Sequence, residues 1–551
     1  MISSRGAVRL AKLESQGPSA AIVNIQFAVL CKGARLDDWQ LRSVNSLLAL
    51  PNVRASLLIR ADAPSSHAEP LPGILGALPV VAAGGMPSQG ARSPAAESHG
   101  TRPEFDLDFI LSFTDSPCSS DLLGAARYGV WAFRFGDSAQ DCAEAAGFWE
   151  VYAGEPVTVA RLVRLQPSPD EFVVLREGHL PTRTLSADGN RRDVLDRITA
   201  WAALACTDIR NGVTGRLMAP PFIRTSPARK PPTAGRRLDC KRRIAARAVK
   251  TLMRSLFRHD HWNVGYVDRP ISWFLDHAPA QIAWLPPPTR NEFFADPFGT
   301  WRDGRLTILF ERFDYRTNLG SISAIEHPGA APAVPVQIGP QPAVHLSYPY
   351  LIDAGDRLLC IPETHQAAEI GLYEAGRFPD RWIKIADLVR GLPIVDATLF
   401  RHGELWWLAG SEATAKGTTC ELHLWHADQI AGPWRPHAAN PVKVDVRSAR
   451  PAGTPFLKDG VLYRPAQDCS RSYGGRVVIN RIVTLTPTDF QETPAAVVEP
   501  DPAGPYPAGL HTLSAAGSGT LIDSKRLVFS PAEFRRVLLH YLRSAARRIR
   551  A

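Results

Sequence analysis

Two aspartates and two glutamates occupy corresponding places in the second half of this sequence. Asp296 opens the run DPFGTWR and Asp396 opens DATLFRH, whereas Glu311 ends TILFE and Glu363 ends LLCIPE. Carboxyl pairs of this kind do acid–base chemistry when burial keeps one protonated to donate and leaves the other ionised to activate water, as cleavage of a glycosidic bond requires. The alternative is that both glutamates are ion-pair partners of Arg312, Arg316 or Arg450. Arg450, with Arg447, could grip a phosphate or carboxylate bidentately. Trp301, Tyr348, Tyr350, Trp406 and Trp407 offer aromatic faces on which a sugar can stack, although most tryptophans in such strands serve as core. His511, in GLHTLS, is a lone histidine, and a lone histidine is more often structural than a ligand.

These residues must be positioned by a strand-and-turn phrase that recurs about every 50 residues. It runs ADPFGTWRDGRLTILFERFD from Ala295, SYPYLIDAGDRLLCIPET from Ser347, DATLFRHGELWWLAGS from Asp396, RPAGTPFLKDGVLYRPAQ from Arg450 and GLHTLSAAGSGTLIDSKR from Gly509. Each copy pairs a short strand, a turn and a strand rich in aromatic and β-branched residues, the signature of a propeller blade. Five copies predict five blades, with Asp296, Tyr348, Asp396, Arg450 and His511 converging on a central funnel. An aspartate at such a strand start can also simply close an Asx turn.

At 551 residues the chain exceeds one ordinary core. We expect an α/β domain over 20–215, a basic Pro-rich linker and amphipathic helix over 216–258, the propeller over 259–532 and a basic helix over 533–551. In the first, IVNIQFAVLC, VRASLLIR and FDLDFILSF read as strands and DDWQLRSVNSLLAL as a helix. Residues 82–103 read as a long loop and 190–206 as one closing helix. The basic character is local: 216–258 carries +12 and 535–551 carries +6, which leaves the remainder at −9 against a total of +9. The helix predicted over 241–259 places Val249, Leu252, Met253 and Leu256 on one face. Such helices pack as ordinary elements or lie on an anionic membrane. No aromatic-interleaved platform accompanies the charge, so nucleic acid is not expected.

No apolar run is long enough to span a bilayer, and the start MISSRGAVRLAKLES lacks the apolar stretch of a secretory signal. The eight cysteines are scattered singly, without C-x-x-C spacing. Together these point to a cytoplasmic protein with reduced thiols and peripheral membrane contact at most. No G-x-G-x-x-G follows an early strand and no metal-ligand spacing is present, so no cofactor is expected.

The segment FDLDFILSFTDSPCSSDLLGAARYGVWAFRFGD, followed by FWEVYAGEPVTVARLVRLQPSPDEFVVLREG, resembles the formyltransferase family. That resemblance implies a Rossmann-like fold and an Asn, His and Asp at the reaction centre. Ala132 stands at the Asn position, Arg134 at the His position, and only Asp170 matches the acid. Arginine cannot serve as a base near neutral pH. The implied domain is therefore degenerate, with a sugar N-formyltransferase relationship as an alternative.

The blade phrases resemble five-bladed glycoside hydrolases of the arabinanase and xylosidase family. The half from Trp262 more closely resembles the propeller-like N-terminal domain of glucosamine inositolphosphorylceramide transferases, and no transferase segment is recognised after it. The hydrolase resemblance implies Asp296 as base and Asp396 as the aspartate that tunes the acid. It puts Arg450 or Ala452 where the acid glutamate belongs, so Glu363 or Glu311 would have to replace it. It also offers His511 to a central hydrated cation. The expected partner is a saccharide or glycolipid, met either by a binding module or by a glycosidase with a relocated acid.

Overall fold

The computed structural model describes all residues except 1–23, 34, 62–72, 84–105, 115–117, 137–142, 169, 218, 224–230, 280, 328–331, 341–343, 414–419 and 551, and omits the side chains of 544–550. Nearly all of the loop expected over 82–103 lies outside the described residues. The chain divides into two compact units, Met1–Ile244 and Ala245–Ala551.

The first unit is α/β. Its elements are β1 (Ile25–Cys31), α1 (Asp38–Leu48), β2 (Val53–Arg60), β3 (Val80–Ala82), β4 (Phe109–Ser112), α2 (Ser120–Gly124), β5 (Val130–Phe135), α3 (Phe148–Ala153), β6 (Val157–Leu165), β7 (Glu171–Pro181), α4 (Ala187–Ile198), α5 (Trp201–Arg210) and β8 (Phe222–Ile223). Strands run in the order β3-β2-β1-β4-β5 with parallel pairing, and β6, β7 and β8 continue antiparallel. The continuous apolar runs of β1 and β4 are what a parallel strand covered on both faces requires. Phe27, Phe109 and Trp131 stack across the three central strands at 5.4 and 3.9 Å. The single helix expected over 190–206 is two helices, broken after Ile198. There the Thr199 hydroxyl donates to the Asp196 carbonyl, a local bond that competes with the helical ladder.

The linker is more helical than its prolines suggested, since α6 (Ala234–Phe257) begins seven residues earlier than expected. Leu256 is buried on it and Leu252 half-buried, whereas Val249 and Met253 stand exposed; nearer its start Cys240 is buried against Phe148 and Val151. At its C-terminal end Phe257 meets Phe529 and Phe534, the latter on α7 (Pro531–Arg550).

The second unit is a β-propeller. Its strands are β9 (His259–Val267), β10 (Ala283–Trp284), β11 (Glu292–Arg302), β12 (Arg305–Asp314), β13 (Leu319–His327), β14 (Val334–Pro335), β15 (Ser347–Asp353), β16 (Leu358–Glu363), β17 (Glu369–Arg377), β18 (Arg381–Arg390), β19 (Ile394–His402), β20 (Leu405–Glu412), β21 (Glu421–Ala427), β22 (Arg435–Pro436), β23 (Lys443–Asp445), β24 (Phe456–Lys458), β25 (Val461–Asp468), β26 (Arg476–Leu485), β27 (Phe490–Val498), β28 (Gly509–Ala516) and β29 (Gly519–Val528). Four independent four-stranded sheets form: β11–β14, β15–β18, β24–β27, and one that joins the first and last strands in the order β10-β9-β29-β28. Five such sheets were expected. The third phrase gives β19-β20-β21-β22, paired antiparallel in turn, but β21 also pairs β23, so these four strands are not an independent sheet.

Local chemistry sets the hairpins. Asp303–Gly304 and Asp459–Gly460 both take positive φ, as a two-residue turn matched to strand twist requires. Four of the inner strands start irregularly at the same place. Pairing skips between Ala295 and Phe298, Ser347 and Tyr350, Val395 and Thr398, and Leu510 and Leu513. Within the first three gaps Asp296, Tyr348 and Asp396 adopt φ of 52°, 42° and 53°. Such bulges turn the chain and re-aim side chains.

Candidate functional site

A cavity of about 290 Å³ opens where these bulges meet, with Asp296, Glu311, Glu363, Arg450, His345 and His365 in its wall. Phe293, Phe313 and Tyr473 supply its aromatic surface. The bulges expose backbone donors, and neighbouring strands answer them with carboxylates. The Asp396 N–H donates to Glu363 Oε2 at 3.0 Å, and the Asp296 N–H donates to Asp523 Oδ2 at 2.8 Å.

Asp396 is 1% exposed and bound by Arg450, whose second contact to Oδ1 is 3.2 Å, while the Gln467 amide donates to Oδ2 at 2.9 Å. Burial lifts its carboxyl to about 6, even though Arg450 opposes the rise. Arg450 also lies over the Tyr473 ring at 5.0 Å. The Arg450 guanidinium is thus engaged by Asp396.

Glu363 is held ionised. Burial would raise its carboxyl, but the bond from His365 Nδ1 at 2.7 Å and the nearby Arg450 draw it down to about 2. The same bond lifts His365 above its ordinary value. Glu311 is the opposite case. Burial, then the charges of Asp296 and Glu363, hold it well above the usual carboxylate range. Its nearest partner is His345 Nε2 at 3.5 Å, and burial keeps that imidazole's pKa down. Arg312 and Arg316 pair with Glu292 instead, at 3.0 and 3.1 Å.

Asp296 is 4% exposed and pushed up to about 7 by burial, with His511 opposing and Asp396, Asp523 and Glu363 adding. Thr512 donates to its Oδ1 at 3.1 Å. His511 stacks on Trp262 at 4.0 Å and binds Asp523 at 2.7 Å. Asp296, His511 and Asp523 bring their ligand atoms within 4.8 Å of one another, the one such group among the described residues. Two carboxylates and an imidazole suit a cation. However, burial of His511 is outweighed by Asp523 and Asp296, which raise its pKa and favour the charged imidazolium at that point.

Three expected contacts are corrected. Tyr348 does not face the funnel: it is fully buried, its hydroxyl takes the Gly453 N–H at 2.7 Å, and its ring packs on Phe298 at 4.8 Å. A bulky ring in that bulge is driven into the core by the apolar surface it can bury. Trp301 sits at the far end of β11, 40% exposed, with its indole N–H on the Ala516 carbonyl at 3.0 Å. Arg447 is outside the cavity wall and grips Asp445 through two bonds of 2.9 Å. Of the other aromatic candidates, Tyr350 and Trp407 are core and Trp406 is half-buried. Ala452 is core as well.

In the first unit, Ala132 is buried in β5 and the Arg134 guanidinium donates to the Phe133 carbonyl at 2.9 Å. Asp170 is exposed in the turn before β7.

The family model for the N-terminal region of glucosamine inositolphosphorylceramide transferase 1 matches residues 286–503. Glucosamine inositolphosphorylceramide transferase 1 of Arabidopsis thaliana is 33% identical over 207 residues, covering 37% of this chain and 27% of that protein. The Oryza sativa subsp. japonica protein of the same name is 33% identical over 210 residues, covering 37% and 28%. The chain therefore spans about a quarter of the length of these relatives. Among solved structures, a family 117 glycoside hydrolase of Zobellia galactanivorans aligns with a TM-score of 0.32 at 12% identity, covering 50% of this chain and 92% of that one. An exo-β-1,3-galactanase of Clostridium thermocellum aligns at 0.30 and 11%, covering 40% and 57%. Scores this low transfer nothing, and the propeller stands on its own sheets. The family match begins at residue 286, so the formyltransferase resemblance gains no support from it.

Sequence reasoning missed His345, His365, Asp523 and Tyr473. A signal existed for two of them. His365 follows Glu363 by two residues, and Asp523 interrupts the apolar strand TLIDSKRL. Tyr473 lies between strands, where no periodicity marks it.

Proposed function

We propose that the propeller binds a saccharide or the sugar headgroup of a glycolipid in the cavity of Asp296, Glu311 and Glu363, and that the chain serves glycolipid or polysaccharide metabolism. In this reading β19–β22 count as a fifth blade. The observation that carries it is a cavity of sugar size that combines carboxyls, imidazoles and aromatic walls. The similarity to glucosamine inositolphosphorylceramide transferases supports the glycolipid side of the reading.

Binding is favoured over hydrolysis by the way the charges are tied. Glu363 is ionised, but each of its oxygens already accepts a hydrogen bond. Asp396 is shielded by Arg450. Hydrolysis is the second reading, favoured by Glu311, whose carboxyl burial holds well above the usual range, on the same wall as Glu363, held low by His365.

The test is saturation-transfer NMR of the full chain with envelope glycans and aryl glycosides, with released reducing ends followed in parallel. The expected result is sugar signals without turnover, weakened in Asp296→Asn. Turnover lost in Glu311→Gln would establish the second reading. No signal from any sugar would overturn both.

A further inference from the structure

The two basic helices stand at the cavity's end of the propeller. α6 runs into β9 at His259, and α7 follows β29 after Val528. Those strand ends pair directly, Val528 with His259. The same end of β29 meets the start of β28, Lys525 with Gly509, just before His511. Ring contacts then run without a break from the cavity wall to the helices. Phe313 meets Tyr315 at 5.3 Å, Tyr315 meets His259 at 6.4 Å, and His259 meets Phe529 at 6.2 Å. Phe529 in turn meets Phe257 of α6 at 6.3 Å and Phe534 of α7 at 5.7 Å.

The outer faces of both helices carry apolar side chains set among cations. Val249, Met253 and Phe257 follow one another at four-residue spacing on α6 and are 62%, 49% and 50% exposed. On α7, Leu538, Leu539 and Leu542 are 37%, 40% and 57% exposed. Residues 245–258 hold four Lys or Arg and no acid, and 535–543 add three Arg and no acid. Apolar surface gathered in this way marks a contact with something other than water. The cations are spread along both helices instead of gathered at one point, so their match is an extended anionic surface. The apolar side chains between them call for acyl chains beneath its headgroups. Among the described residues no helix is long and apolar enough to cross a membrane, so lying flat is the form such contact takes.

We propose that the second unit docks on an anionic phospholipid surface through α6 and α7, with the mouth of the Asp296 cavity on the membrane side. The paired ends of β9 and β29 tie both helices to that end of the propeller, so the docked unit has one orientation. The turn Asp314–Leu319, between β12 and β13 and next to Phe313 of the cavity wall, then lies against the headgroups. The turns Arg302–Arg305 and His402–Leu405, at the other ends of their hairpins, face solvent. This orientation holds whatever the cavity binds.

The experiment is hydrogen exchange of the full chain, read by mass spectrometry, with and without phosphatidylserine–phosphatidylcholine vesicles at low salt. Slowed exchange is expected over 249–257, 534–543 and 314–319, and no change over 302–305 or 402–405. Slowing at the far turns, or equally at both ends, would overturn the orientation. In parallel, flotation with the same vesicles compares the unaltered chain with the double variant Met253→Asp, Leu542→Asp. Both side chains are exposed, so the fold should survive, and an unchanged melting temperature checks this. The double variant is expected to bind at least about 10-fold more weakly, the effect of losing one large buried apolar side chain. Undiminished binding by the double variant, or none by the unaltered chain, would overturn the docking. A dimer that the double variant dissociates, with no vesicle binding, would assign the face to a second copy and overturn it too. The saccharide reading survives each of these failures.

Discussion

Glu363 and His365 show how one hydrogen bond sets two charges, and the pair makes stability depend on pH in a defined window. Glu363 falls from its ordinary 4.5 to about 2, so its contribution is present above 4.5 and lost as pH falls through about 2. His365 is raised, so its contribution is present below 6.5 and lost as pH rises through its higher folded value. His365→Ala should therefore destabilise most between pH 4.5 and 6.5, read by urea midpoints across pH, with smaller losses on either side. A second residue-scale case is Glu492, buried between Arg464 at 2.6 Å and Lys443 at 2.8 Å. Glu492→Gln leaves two cations without their anion and should cost about 3–5 kcal/mol in chemical denaturation. At this scale the repeat put Asp296 and Arg450 at strand starts and Glu311 and Glu363 at strand ends, and it left open whether the glutamates reach the funnel or pair with arginines. It could not show that Arg450 would bind Asp396, nor that Tyr348 would turn inward. Those outcomes depend on contacts between blades 50 to 100 residues apart.

At the scale of elements, the bulge that opens β11, β15 and β19 is the working part. Its left-handed residue suits aspartate or asparagine far better than a β-branched side chain. Asp296→Asn should fold, whereas Asp296→Val should lose a further 1–3 kcal/mol, about the strain of such a residue at φ 52°, seen as a lower melting temperature. The DG turns were legible because their chemistry is local. The skip in pairing was not, since nothing in the phrase marks which residues leave the ladder. The basic helices belong to this scale as well. Val249 and Met253 on α6, and Leu539 and Leu542 on α7, are exposed among arginines. If they meet lipid, the chain should co-sediment with phosphatidylserine vesicles at low salt and be released as salt rises. Equal sedimentation with neutral vesicles would count against charge-driven contact.

Over the whole molecule, the alternation of strand phrases and turns was enough to predict an α/β unit followed by a propeller. The number of independent blades was not legible in the same way. Four phrases close their own sheets, while the third leads into β21, which pairs both β22 and β23, and that choice is tertiary. Removing residues 509–551 takes away β28 and β29 and leaves the whole length of β9 without its partner. The truncated chain should lose its cooperative transition and aggregate through the open edge, measured by thermal melting and light scattering.

The same pairing of β9 with β29 carries a consequence for how the protein is made. The first strand of the ring emerges from the ribosome at His259, but its partner is not complete until Val528. Until then an edge nine residues long waits without its neighbour, while the intervening strands assemble beside it. Synthesis therefore leaves a late window in which another extended segment can compete for that place, the exposure that makes an unpaired strand edge prone to aggregation.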